Sequence, residues 1–198
     1  MTIITAEPAG EQNDALASAL GSLLRERRTI HDYLMGEPPR AVIIEAIEQA
    51  RWAPNHHRTE PWRFYLLSRA IGAQVAALNA ELVRAKSGEE AATAKLRRWQ
   101  AMPGWLVVTC AKQVDAARER EDYAACCCAI QNLTLALWAH GIGTKWGTGK
   151  VTRDPRFLAL IKADPAHEFV VGLFWYGYPA TVPAQVRRPV AEILHIVD

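Results

Sequence analysis

The chain has 198 residues, half of them apolar and 22% charged, the composition of one globular domain rather than of a fibrous or disordered chain. Lys and Arg total 23 against 21 Asp and Glu, so the formal charge is only +2. That excludes charge-driven disorder and gives no support to nucleic-acid binding. The most apolar stretch, Ala124 to Ala139, falls short of the roughly 20 residues of a membrane span and carries Gln131 and Asn132, so no membrane association is expected. The N-terminus lacks both the basic start and the apolar core of a secretory signal, which makes the cytoplasm the expected compartment.

In chain order, residues 1–13 read as a flexible N-terminus and 14–198 as one domain ending in an arm. Leu16, Leu20, Leu23 and Leu24 fall on one face of a helix over Asp14 to Arg28, which ends in Arg25, Arg27 and Arg28. Pro38-Pro39 starts a second helix with an Ile43, Ile47, Ala50 stripe, stopped by Pro54. Arg63 to Leu67 is aromatic and reads as a strand. Helices follow at Ile71 to Lys86 and Glu89 to Ala101. Gly104 to Cys110 is continuously apolar, the pattern of a strand buried on both faces.

Glu119, Glu121 and Asp122 lead into a helix over Tyr123 to His140, apolar nearly all round and therefore expected to be central and buried. Gly141 ends it, and Gly141 to Gly149 reads as a glycine-rich loop. Asp154-Pro155 opens a short helix, and Phe169 to Tyr176 is a second fully apolar strand. The tail from Val186 is basic, then apolar, which suits an arm docking on something. Helices outnumber strands and do not alternate with them regularly, so an α+β layer arrangement is expected rather than a doubly wound sheet.

Several chemistries lack their parts. The segment Gly141-Ile142-Gly143-Thr144-Lys145-Trp146-Gly147 has one residue too many for a dinucleotide fingerprint and follows a helix, not a strand. Gly149-Lys150 lacks the rest of a phosphate-binding P-loop, and none of the four serines sits in a nucleophile elbow. The cysteines Cys110, Cys126, Cys127 and Cys128 form no C-x-x-C pair, and neighbours on a helix diverge by about 100°, so reduced, buried, structural thiols are expected. His56-His57 has no carboxylate or cysteine nearby in sequence and adjacent side chains diverge, so no metal site is expected.

Four segments remain. Arg27-Arg28-Thr29 with His31 suits an anion, because a guanidinium offers forked, charge-assisted hydrogen bonds. Trp52 to Trp62 is a helix-to-strand loop fixed by Pro54 and Pro61 and rich in polar donors, a common form for a binding loop. The four glycines from Gly141 to Gly149 permit close approach to a flat ligand, with Trp146 as a wall. Arg187-Arg188-Pro189 adds a second basic pair.

In order and spacing, Arg27-Arg28-Thr29-x-His31, the Ala53-Pro54-Asn55-His56 to Pro61-Trp62 loop, the Gly141 to Gly149 segment, the strand ending in Gly177-Tyr178-Pro179-Ala180, and Arg187-Arg188-Pro189 resemble the FMN-dependent nitroreductase superfamily. The resemblance covers residues 22–194. It implies a nitroreductase-like fold, a central and mostly antiparallel sheet flanked by helices, in an intertwined homodimer with FMN at the subunit interface. Arg27, Arg28 and Thr29 match the segment at the phosphate and ring. Pro54, Asn55 and His56 match a segment presented to the flavin of the other subunit. Trp146, Gly147, Thr148 and Gly149 match the stretch near flavin N5, and Arg187 matches a late phosphate ligand. His31 stands where many relatives carry Lys or Arg near the N1–O2 edge, and Glu60 replaces the usual Gln.

The implied activity is ping-pong hydride transfer from NAD(P)H through flavin N5 to a nitroaromatic or quinone-type small molecule, with no catalytic side chain required. Oxygen-dependent or dehalogenating flavin chemistry, a flavin carrier or sensor without turnover, and a structural dimer without cofactor are the alternatives.

Overall fold

The structure, a computed structural model, describes residues 11–197. The expected loose segment therefore lies outside the described residues as far as position 10, and Glu11 already belongs to the first helix. Four strands form one sheet: β1 (Trp62–Leu66), β2 (Gly104–Ala111), β3 (Gly143–Gly147) and β4 (Glu168–Gly177), in the order β1-β2-β4-β3. Every pairing is antiparallel. The two continuously apolar runs, β2 and β4, take the two central places, where both faces are covered.

Five helices surround the sheet: α1 (Glu11–Glu26), α2 (Arg40–Ala50), α3 (Arg69–Gln100), α4 (Ala116–Ala139) and α5 (Pro155–Ile161). Asp115 and Asp154 accept hydrogen bonds from Ala117 N and Arg156 N at 2.9 Å, and Ser68 caps α3 in the same way. The Asp115 cap starts α4 well before the predicted Tyr123, so Glu119, Glu121 and Asp122 lie inside the helix instead of preceding it. The two helices predicted between Ile71 and Ala101 are one span interrupted at Gly88, whose φ of 84° only glycine adopts without strain.

The sheet divides two cores. On one face α2 and α4 bury Ile43, Ile130, Leu133 and Leu137 against Leu106, Val108, Phe174 and Tyr176. On the other, α3 and α5 bury Val75 and Phe157 against Val107 and Leu173. Trp99, Trp105 and Trp175 pack edge to face there, with centroids 4.8–5.7 Å apart. Such a pair contributes about 0.5–1.5 kcal/mol beyond burial of its area.

The predicted glycine-rich loop is for the most part an edge strand. Gly143–Gly147 pairs with β4 over five residues. Its glycines serve packing: a Cβ at Gly143 would lie 2.3 Å from Ile30 Cγ1, and one at Gly147 would lie 3.0 Å from the Trp175 ring. The alternation of the strand sends Thr144 and Trp146 toward the α4 layer and Lys145 and Gly147 toward the tryptophan cluster.

The expectation of a helix α4 buried all round fails, and α1 likewise leaves apolar surface open. Leu16, Leu20 and Leu24 of α1 are 63%, 53% and 52% exposed while Leu23 is half-buried, so among the described residues most of the apolar face of α1 is left open. Helix α4 is buried on one side only, because Ala124, Cys128, Gln131 and Ala139 form an exposed stripe at helical spacing. Cys110 and Cys126 are buried and Cys127 half-buried, but Cys128 is exposed and so departs from the buried set. The arm beyond Thr181 is exposed throughout, including Val186, Ile193 and Leu194.

Candidate functional site

Arginines gather where α1 ends. Leu24, Arg25, Arg27, Arg28, Gln185 and Arg187 line one cleft of about 450 Å³. Arg28 is spent on the turn, since its guanidinium donates to the carbonyls of Arg25 and Arg27. Burial, followed by the like charges of Arg28 and Arg187, lowers the Arg27 pKa from its ordinary value. The cleft is thus a concentration of cations without an acidic lining residue.

Arg27 also borders an adjoining cavity of about 110 Å³, together with Thr29, Gln131, Thr134, Thr144 and Trp146. Thr29 is placed by a bridge to Thr144, in which Ile30 N donates to Thr144 O at 2.9 Å. Trp146 is held by its Nε1 bond to Val171 O at 3.1 Å and by the Phe174 ring, centroids 5.4 Å apart. Gly172 makes room for it: a Cβ there would lie 2.1 Å from Trp146 Nε1. Gly147 sits against the Trp175 ring on the opposite sheet face. Thr148 and Gly149 are exposed beyond the strand end, and the Gly149 carbonyl accepts from Thr152 N and Oγ1 at 3.1 and 2.9 Å.

The loop from Pro54 to Pro61 is tied down at its base. Asn55 Oδ1 accepts from Glu60 N at 2.7 Å, and Asn55 Nδ2 donates to Thr59 Oγ1 at 3.0 Å. The Thr59 hydroxyl donates to Asp122, which also accepts from Gln113 Nε2 at 2.7 Å. Asp122 is 1% exposed. Above this anchor His57, Arg58 and Glu60 have φ of 60°, 53° and 44°, a strained stretch for residues with side chains. Pro54, Asn55 and His56 line a groove of about 490 Å³ with Glu121, Ala124 and Cys128 of α4.

The structure therefore brings Arg27, Arg28 and Arg187 together, and Arg27, Thr29 and Trp146 together. It does not bring Pro54, Asn55 and His56 to them within one chain. The two groups share no lining residue, although both open on the exposed stripe of α4, at Gln131 and at Cys128. His31 lines neither cavity: its Nδ1 lies 3.1 Å from Lys145 Nζ, whose ammonium sits 5.6 Å from the Trp175 centroid on the far sheet face. Burial, then the neighbouring charges of Arg98 and Lys95, lowers the Lys145 pKa.

Sequence reasoning missed Gln131, Thr134 and Thr144, which lay inside segments read as core helix and loop. It also missed Asp122, which looked like one of several acidic residues before a helix. Only the alternation Thr144-x-Trp146, read as a strand, carried a signal for any of them.

An antiparallel α+β sheet with an arginine cleft at one edge defines the class, and comparison with known proteins places the chain within it. The Nitroreductase family profile matches residues 24–178. The chain belongs to the nitroreductase family. A Bacillus subtilis protein, "Putative NAD(P)H nitroreductase YfhC", is 31% identical over 175 residues, 86% of this chain and 90% of that one. A solved nitroreductase-like family protein from Bacillus cereus is 28% identical with a TM-score of 0.79, covering 100% of this chain and 99% of the other. A Desulfovibrio desulfuricans structure, described as a "putative nitroreductase in complex with fmn", shares the fold with a TM-score of 0.72 at 21% identity, covering 90% and 96%. Among the described residues no helix is long and apolar enough to cross a membrane.

Proposed function

We propose that the protein is an FMN-dependent NAD(P)H oxidoreductase that reduces nitroaromatic or quinone-type acceptors, with donor and acceptor using one site in turn, in the cytoplasm and as a homodimer. The observation that carries this reading is that Arg27 lines both the arginine cleft and the Trp146 cavity. Burial and the charges of Arg28 and Arg187 disfavour the charged form of Arg27, and a bound dianion offsets them, so the donor set fits the phosphate of FMN. Thr29, Gln131, Thr134 and Thr144 supply polar atoms in the adjoining cavity, where Trp146 offers an aromatic wall. Bound there, FMN supplies hydride acceptance from NAD(P)H and hydride delivery to the acceptor.

The chain's own residues bind and orient. Arg27 and Arg187 hold the anionic end, while Arg28 stiffens the turn that carries Arg27. Thr148 and Gly149 present exposed backbone at the end of β3. A second copy laid on the α4 stripe brings its Pro54, Asn55 and His56 toward the first copy's cavity and covers the exposed leucines of α1. His31 is left to pair with Lys145, so in this reading the charge nearest the cavity comes from Arg27.

The test is an absorption spectrum of the purified protein, followed by anaerobic addition of NADH or NADPH and then of a nitroaromatic or a quinone. Retained flavin that bleaches with the donor and recovers with the acceptor is expected. Protein that stays colourless after incubation with FMN overturns the reading. Flavin that binds but does not bleach replaces the enzyme with a carrier.

A further inference from the structure

Adjacent histidines diverge on an extended or helical backbone, and in sequence His56-His57 stands more than sixty positions from Glu121. The folded chain removes both objections. The left-handed turn at His57, φ 60° and ψ 4°, swings the second imidazole back toward the first, so the ring centroids lie 3.9 Å apart with planes at 58°. The carboxylate of Glu121 arrives from α4. One ligand atom from each of His56, His57 and Glu121 lies within 4.8 Å of the other two.

From this convergence we propose that His56, His57 and Glu121 form a divalent-metal site of the two-imidazole, one-carboxylate type, and that Zn²⁺ is its natural occupant.

The donor set suits zinc, which takes His nitrogens and carboxylate oxygens at about 2.0–2.2 Å and keeps an open position when the protein supplies three ligands. Tetrahedral ligands at that length are about 3.3 Å apart. The three groups are all exposed, so small side-chain rotations close the remaining gap without moving the core. The loop and the helix that supply the ligands are fastened to each other one residue away from the site. Thr59 donates to Asp122, the neighbour of Glu121, and Asn55 braces Thr59 and Glu60 from inside the loop. The strained turn at His57 is thus held from below, and the backbone that carries the ligands is fixed in place.

His56 and Glu121 both line the groove with Pro54, Ala124 and Cys128, so in the dimer proposed above the open coordination positions face the subunit interface, where a water or an oxygen of a bound small molecule fills them. The imidazoles and the carboxylate converge within one chain and need no cofactor to do so, while the flavin reading places the same His56 at the subunit contact.

The test uses tag-free protein as purified, stripped of metal with a chelator and dialysed. Zn²⁺ binding is measured by calorimetry and Co²⁺ by its visible ligand-field bands, with the flavin band recorded in the same samples so that loss of flavin and loss of metal are seen separately. The expected result is one Zn²⁺ per chain with a Kd of about 10 μM or tighter. His57→Ala and Glu121→Gln should each weaken binding about tenfold or more while leaving the circular dichroism spectrum unchanged. Absence of saturable binding, or binding that either variant leaves intact, overturns the proposal.

Discussion

Thr59 donates its hydroxyl hydrogen to Asp122, joining the Pro54–Pro61 loop to the inner side of α4 across 63 positions of sequence. The carboxylate is 1% exposed and its partners are neutral, Thr59 on one oxygen and Gln113 on the other. Hydrogen bonds to a charged group contribute about 1.5–3 kcal/mol each, and a buried polar group left alone costs about 1–3 kcal/mol. Asp122→Ala removes both bonds and strands both partners. Stability should fall by about 3 kcal/mol in urea unfolding. Asp122→Asn keeps a carbonyl acceptor for one partner and should lose about half as much. Equal stability in all three proteins would show that the loop is not anchored here.

The arginine cleft leads to a prediction about ligand retention. Arg27 borders both the cleft and the Trp146 cavity, and burial together with its like-charged neighbours already lowers its pKa. Arg27→Ala should weaken FMN retention about tenfold to a hundredfold, the loss of one charge-assisted contact. Arg27→Lys should recover part of that, because an ammonium keeps the charge and loses the fork. Fluorescence titration of released flavin measures both. Retention equal to the unaltered protein in Arg27→Ala would remove the phosphate from this cleft.

How far the sequence foretold this molecule depends on whether a signal was local. The central strands β2 and β4 were legible because a strand buried on both faces is apolar along nearly its whole length, and both runs are apart from Thr109 and Glu168. The break in α3 was legible as two separate helices, because Gly88 stands between the two apolar patterns. β3 was not, because glycine signals a turn, and Gly143 and Gly147 are required by the Ile30 and Trp175 side chains that press on them from elsewhere in the chain. Asp122 was illegible for the same reason, since its burial comes from a loop and a strand end distant in sequence. His31 was read from its neighbours Arg27, Arg28 and Thr29, but its ring lies beside Lys145.

Gly172 tests whether Trp146 shapes the cavity. A Cβ at this position would lie 2.1 Å from Trp146 Nε1 and 2.9 Å from the Phe174 ring. Gly172→Ala therefore displaces the indole and breaks its bond to Val171 O. Overpacking of this kind costs about 1–3 kcal/mol. A lowered melting temperature is expected together with a red shift of tryptophan emission and a loss of flavin retention. Retained flavin in a protein with displaced Trp146 would take the indole out of the site.

The exposed leucines of α1 bear on assembly. Leu16 and Leu20 are more than half exposed on the apolar face of an amphipathic helix, and α4 beside it shows the Ala124, Cys128, Gln131 and Ala139 stripe. Contiguous apolar surface of this kind marks an interaction site. In the homodimer proposed above, the same patch would meet itself across a two-fold axis. The double variant Leu16→Glu with Leu20→Glu places four carboxylates at that contact in a dimer and adds none to either core. It should sediment as a monomer at micromolar concentration, keep its helical circular dichroism signal, and lose flavin, because Pro54, Asn55 and His56 share no cavity with Arg27 within one chain. A monomer that holds flavin as tightly as the unaltered protein would show that one chain completes the site alone, and an undisturbed dimer would place the interface elsewhere.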